Sequence, residues 1–230
     1  MQLRETLLNL AITCVLVLII VLVAVLLREG RENPVVSALP VPSAGVPGGG
    51  PESLAGFRPV EPVFVAFPGT TFIDSQTNEP DAFRLKIGNE EHIFVLYFVD
   101  ALEAAWTHPQ RVAEQARWFG NTQNQAIVDG GMAAMNYVRD LLKKKPFTLL
   151  TRWERVPNSS RYYGMISVEY AAGKRAYLAD LLLLKGFARV GGITTFLPSN
   201  DVRRMEDYLL ELNGHAKRAK IQKQGVWAQK

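Results

Sequence analysis

The sequence predicts an α+β fold: a small five-stranded barrel with helices packed around it, preceded by one N-terminal transmembrane helix. Three observations predict it. Residues 7–27 are apolar and carry no charge. Residues 28–59 are dense in proline, glycine and small side chains and lack the large apolar groups of a core. From residue 60 onward, strand-like and helix-like runs follow one another as three strands, helices, two strands and helices. The expected organisation is an N-terminal flank (1–6), a membrane span (7–27), a linker (28–59) and one globular domain (60–230).

Of the 230 residues, about 170 fall in the globular part, enough for one ordinary core. A formal charge of +4, with the positive residues gathered late, permits an anionic partner without demanding one. Cys14 is the only cysteine, which excludes an internal disulfide and a cysteine-ligated zinc site.

Leu7 to Leu27, at helical rise, matches the thickness of a bilayer's hydrocarbon layer. The run passes straight into Arg28, Glu29 and Gly30 rather than a small-residue cleavage site, so an uncleaved single-pass anchor is expected. Arg4 lies on one side of the span and Arg28 and Arg31 on the other, so charge does not decide orientation. The domain is expected on the extracytoplasmic face. The linker that follows reads as a spacer reaching roughly 3 Å per residue.

Pro62 to Phe67 reads as the first strand, ended by Pro68-Gly69. In Asp81 to Ile87, Phe83, Leu85 and Ile87 alternate with Arg84 and Lys86, the pattern of a strand with one buried face. Asp81 shares the parity of Phe83 and Leu85 and so belongs at the core-facing end of that strand. Gly88-Asn89 supplies a hairpin turn. The central stretch is His92 to Glu103, in which Ile93 to Val99 is a strand buried on both faces. It ends in Asp100 and, three residues on, Glu103. Two carboxylates at the rim of a core can bridge a hard cation, although Asp also suits a plain turn.

A helix is expected over Trp106 to Phe119, with a capping box from Thr107 to Gln110 and a stop at Gly120; its aromatics serve packing. A second runs from Ala126 to Lys144 with Ala134, Val138, Leu141 and Leu142 on one stripe. The lysines at 143–145 suit a helix C-terminus. Strands follow at FTLLTRW after Pro146 and at Arg161 to Tyr170. Ala176 to Lys185 reads as a buried helix stopped by Gly186, and Asn200 as the cap of a last helix with a basic end. That end can be a solvated face or a phosphate contact. The order fits a barrel of the oligonucleotide-binding type.

FVLYFVDALE resembles the strand-plus-carboxylate signature of the thermonuclease, or staphylococcal nuclease-like, family. RYYGMISVEYAAGKRAYLADLLLLKGFARV is similar to that family's Tyr-Gly strand, Gly-Lys turn and following helix. HAKRAKIQKQGVW is similar to its final basic helix and Gly-x-Trp ending. The resemblance covers about Phe64 to Trp227 in the family's order. It implies a calcium-dependent phosphodiesterase acting on single-stranded DNA or RNA, with Asp81 and Asp100 as calcium ligands and Glu103 as the residue that orients or deprotonates water.

The family's two phosphate-clamping arginines are missing: the corresponding positions are Val95 and Met165, and the 104–124 segment is longer. Arg161, four residues before Met165 on the same strand face, is the nearest substitute; its other reading is an exposed turn residue. Losing two such donors costs roughly 10⁴ in rate. The expected function is therefore a membrane-anchored nuclease-type domain of weak activity. The alternatives are a non-catalytic nucleic-acid-binding module and an envelope protein-interaction module on the same fold.

Overall fold

The computed structural model describes residues 63–229. The expected span and linker lie outside these residues; among the described ones, no helix is long and apolar enough to cross a membrane.

Nine strands and four α-helices are described: β1 (Val65–Phe67), β2 (Thr71–Phe72), β3 (Ala82–Ile87), β4 (Glu90–Leu96), β5 (Val99–Ala101), α1 (Pro109–Trp118), α2 (Asn124–Lys144), β6 (Phe147–Thr151), β7 (Tyr162–Ala171), β8 (Lys174–Tyr177), α3 (Leu178–Leu184), β9 (Ala188–Val190) and α4 (Met205–Ile221), with a last 3₁₀ turn at Gly225–Gln229. The fold is α+β with a mixed sheet. Its strands run in the order β1-β6-β7-β4-β3-β2, β8 adds to β7, and β5 pairs with β9 apart from it. Only β4 and β7 pair in parallel.

These hydrogen bonds do not close into a barrel. The two ends of the path, β1 and β2, are consecutive in the chain, separated by a short turn that begins Pro68-Gly69. The expected hairpin forms between β3 and β4, with Gly88 at φ 59°, a left-handed turn position that glycine adopts without strain.

The expected strand from Ile93 to Val99 is instead two pieces. Phe98 lies at φ 73°, so the chain turns out of β4 there and restarts as β5 against β9. Such a conformation costs a bulky residue on the order of 1 kcal/mol or more. The surroundings impose it: Phe98 N–H donates to Ile193 O (3.0 Å), Gly191 N–H donates to Phe98 O (3.0 Å), and the ring meets Tyr208 edge-on at 5.1 Å.

Phe83, Leu85, Phe94 and Leu96 pack with Leu149, Ile166, Val168, Leu182, Tyr208 and Leu212 in the main core. A second core of Leu102, Val112, Phe119, Ile127 and Trp227 lies under α1. Phe119 packs there against Trp227 and meets Trp118 edge-on, while Trp118 and Trp106 both stay largely exposed, so of the three aromatics only Phe119 is buried.

Three helix starts differ from expectation. α1 begins at Pro109 with His108 as its cap and no side-chain cap bond, so the Thr107 capping box is not formed. α3 begins only at Leu178, because Lys174–Tyr177 pairs with β7 as a strand. α4 begins at Met205 rather than beside Asn200, with Asp201 drawn to Arg203 and Tyr177 instead.

Candidate active site

The end of β4, the first two residues of β5 and the segment before β3 meet at one cleft of about 610 Å³. Asp81, Asp100, Glu103 and Arg161 all line it, as does Val95. The four residues singled out in the sequence are thus brought together. Met165 is not with them: it is buried in the main core, and Tyr163 forms the wall on that strand.

Backbone pairing sets Asp81. Leu96 N–H donates to Asp81 O (2.8 Å), and Ala101 N–H donates to Asp81 Oδ2 (2.7 Å), so this one residue ties β4 to β5. Burial pushes its carboxyl up to about 6; the Ala101 N–H opposes this, and the charges of Asp100 and Glu79 add to it.

Asp100 sits at the middle of β5, directly across from Arg189 on β9. Arg189 Nε donates to Asp100 Oδ2 (2.6 Å), and its Nη2 reaches Glu114 Oε1 on α1 (2.8 Å). Asp100 Oδ1 accepts from Arg111 Nη2 (2.9 Å), and Arg111 Nε donates to Glu103 Oε1 (2.5 Å). One guanidinium from α1 thus bridges the two carboxylates. Burial lowers the Arg111 pKa, but its bonds to Glu103 and Asp100 outweigh that and hold it above the ordinary value.

Glu103 is held by its backbone. Its N–H donates to Gln115 Oε1 (2.9 Å), and Gln115 Nε2 donates to Ala101 O (2.8 Å), with Gln115 only 1% exposed. On the other side, α2 presses against it at Gly131, where an added Cβ would lie 2.2 Å from Glu103 O. Only glycine allows that approach.

Arg161 stands just before β7, partly exposed, with Nη1 3.5 Å from Glu79 Oε2. That is the long limit of a hydrogen bond, so the guanidinium is loosely held. A second hollow, also of about 610 Å³, shares Glu79, Glu103, His108 and Arg161 with the first and reaches Arg139 on α2. The two hollows adjoin along these shared residues.

Arg111, Gln115 and Arg189 were not singled out in the sequence. The spacing of Arg111 and Gln115, one helical turn apart, was the available signal for two polar residues on one face of α1. Nothing near Arg189 marks it, since its partner is 89 residues away.

Could the residues hold a divalent cation? Asp81 and Asp100 are oxygen ligands of the right kind, but both Asp100 oxygens are engaged, Oδ1 by Arg111 and Oδ2 by Arg189, while Glu103 Oε2 accepts no hydrogen bond among the described residues. No group of three His, Cys, Asp or Glu among the described residues is arranged to grip an ion.

The chain matches no known family model, and no curated protein matches it.

Proposed function

We propose that this is a membrane-anchored domain of the thermonuclease type, acting slowly and with calcium on phosphodiester bonds of single-stranded DNA or RNA. On this reading β1 and β2 are one bent strand, and β1/β2, β3, β4, β6 and β7 correspond to the five strands of the oligonucleotide-binding kind of fold, left open between β1 and β2. The 7–27 run is its anchor, and the domain lies on the extracytoplasmic face.

One observation carries the reading: Asp81, Asp100 and Glu103 share a cleft with Arg111 and Arg161, and the carboxylates are in excess. Glu79, Asp81, Asp100 and Glu103 line it against two arginines. Such a cleft repels a bare polyanion, so a divalent cation is the natural mediator of phosphate binding. Asp81 and Asp100 would hold it; when bound it would supply positive charge to the phosphate oxygens. On this reading Glu103 Oε2 would hold the water, and Arg161, held only by its long contact to Glu79, would turn to meet a phosphate.

A second reading, binding without hydrolysis, is favoured by the Arg111 bond to Glu103, because a carboxylate so engaged is a poor base. The discriminating experiment uses the full chain in detergent with end-labelled single-stranded DNA and RNA, in calcium and in chelator. Slow calcium-dependent cleavage that disappears in Glu103→Gln supports the first reading. Binding with no cleavage supports the second. Neither binding nor cleavage would overturn both and leave a protein-interaction role.

A further inference from the structure

We infer that Arg111 is a built-in competitor for the cation site: its guanidinium neutralises Asp100 and Glu103 in the resting chain, and a divalent cation must bind against it. The inference rests on the proposed cation site and concerns what sets its affinity.

The geometry is specific. Arg111 contacts Asp100 through Nη2 at 2.9 Å and Glu103 through Nε at 2.5 Å, so it spans the two carboxylates at the cleft. Its side chain is half exposed, whereas those of Asp100 and Glu103 are 14% and 15% exposed. The guanidinium can therefore swing out into solvent at little cost in solvation, which the two carboxylates cannot do. The carboxylates cannot follow, because Asp100 is fixed in β5 against Arg189 and Glu103 is pinned by Gln115 and Gly131.

The helix that carries Arg111 is part of the site's frame. One turn on, Gln115 is buried and bonded to both Ala101 O and Glu103 N, which fixes the base of the Arg111 side chain. Arg189 cannot play the same part: it is little exposed, set across β5, and shared with Glu114 behind the cleft. Two like charges a few ångströms apart repel strongly even at a protein surface, so a cation at Asp100 and the Arg111 guanidinium in its present place oppose each other.

The test is cation binding alone, with no nucleic acid present. Terbium luminescence displaced by calcium is measured on the full-length chain in detergent and on Arg111→Gln, Arg111→Met and Arg111→Lys. The neutral variants should bind at least tenfold more tightly than the native chain, and Arg111→Lys, which keeps the charge, should stay within a fewfold of native. Adding Asp100→Asn to Arg111→Gln should abolish the gain. The inference is overturned if the neutral variants bind no better than native, or if Lys tightens binding as much as Gln. If Arg111→Gln does not fold, the Met and Lys pair decides the question alone. If no variant binds a cation at all, the cation site itself fails, and the functional proposal with it; if cation binding behaves as expected but no oligonucleotide binds, only the nucleic-acid reading fails.

Discussion

Leu96 and Val95 are neighbours on β4 and both touch the cleft and the main core, yet Leu96 is 2% exposed whereas Val95 is only partly buried. Around Leu96, packing partners come from the sheet and from the helices that cover it, and any apolar residue of similar size satisfies them. On the cleft side, Asp81, Asp100, Glu103, Arg111, Arg161 and Arg189 arrive from separate places in the chain, and each depends on one or two named partners. The core is held by interchangeable contacts, the cleft by individual ones. Changes on the two faces should therefore differ in kind.

The largest contrast should come from one charge placed on either face. Leu96→Arg buries an unpaired guanidinium and should cost roughly 5 kcal/mol or more, enough to unfold an ordinary domain. Val95→Arg points its charge into an acidic cleft and should leave the domain folded. Circular dichroism and urea unfolding of both variants check this; equal loss of structure would mean that Val95 does not face the cleft.

Gln115 is the point where the two regions meet. Gln115→Leu keeps the volume but leaves Ala101 O and Glu103 N–H without their bonds, at a cost of roughly 2–4 kcal/mol for two buried polar groups. The urea midpoint should fall accordingly. A change of under about 0.5 kcal/mol would show that water replaces the side chain and that α1 is not the frame of Glu103.

A smaller and pH-dependent effect is expected at Asp81. Its folded-state pKa is raised from 3.8 to about 6. The stability it contributes is therefore fully present below pH about 4 and lost as pH rises through about 6. Asp81→Asn can still accept the Ala101 N–H bond and carries no charge. It should be more stable than the native chain at pH 7.5, by on the order of 2 kcal/mol, with the gap closing below pH 4. Unfolding curves across that range, in chelator, measure it; a gap independent of pH would contradict the assignment.

Much of the strand framework was legible in the sequence because it is local. Alternation placed β3, Gly88-Asn89 placed its turn, and the parity of Asp81 with Phe83 put that carboxylate at the cleft. The spacing of Asp100 and Glu103 marked a rim that does gather charge. The break at Phe98 was not legible, since nothing in an apolar run announces a left-handed residue that Ile193 and Gly191 impose from far along the chain. Lys174–Tyr177 became a strand for the same reason: β7 offered it an edge. Arg111 and Arg189 are ordinary surface-type residues in the sequence and acquire meaning only when β5 meets α1 and β9.

On the proposed function, cation binding at Asp81 and Asp100 lets an acidic cleft hold a phosphodiester chain. The most direct measurement of this is fluorescence anisotropy of a labelled single-stranded oligonucleotide with full-length Glu103→Gln protein, which prevents cleavage, in calcium and in chelator. Calcium should raise the affinity at least tenfold, and adding Asp81→Asn should remove that gain. Equal affinity in calcium and in chelator would contradict the claim.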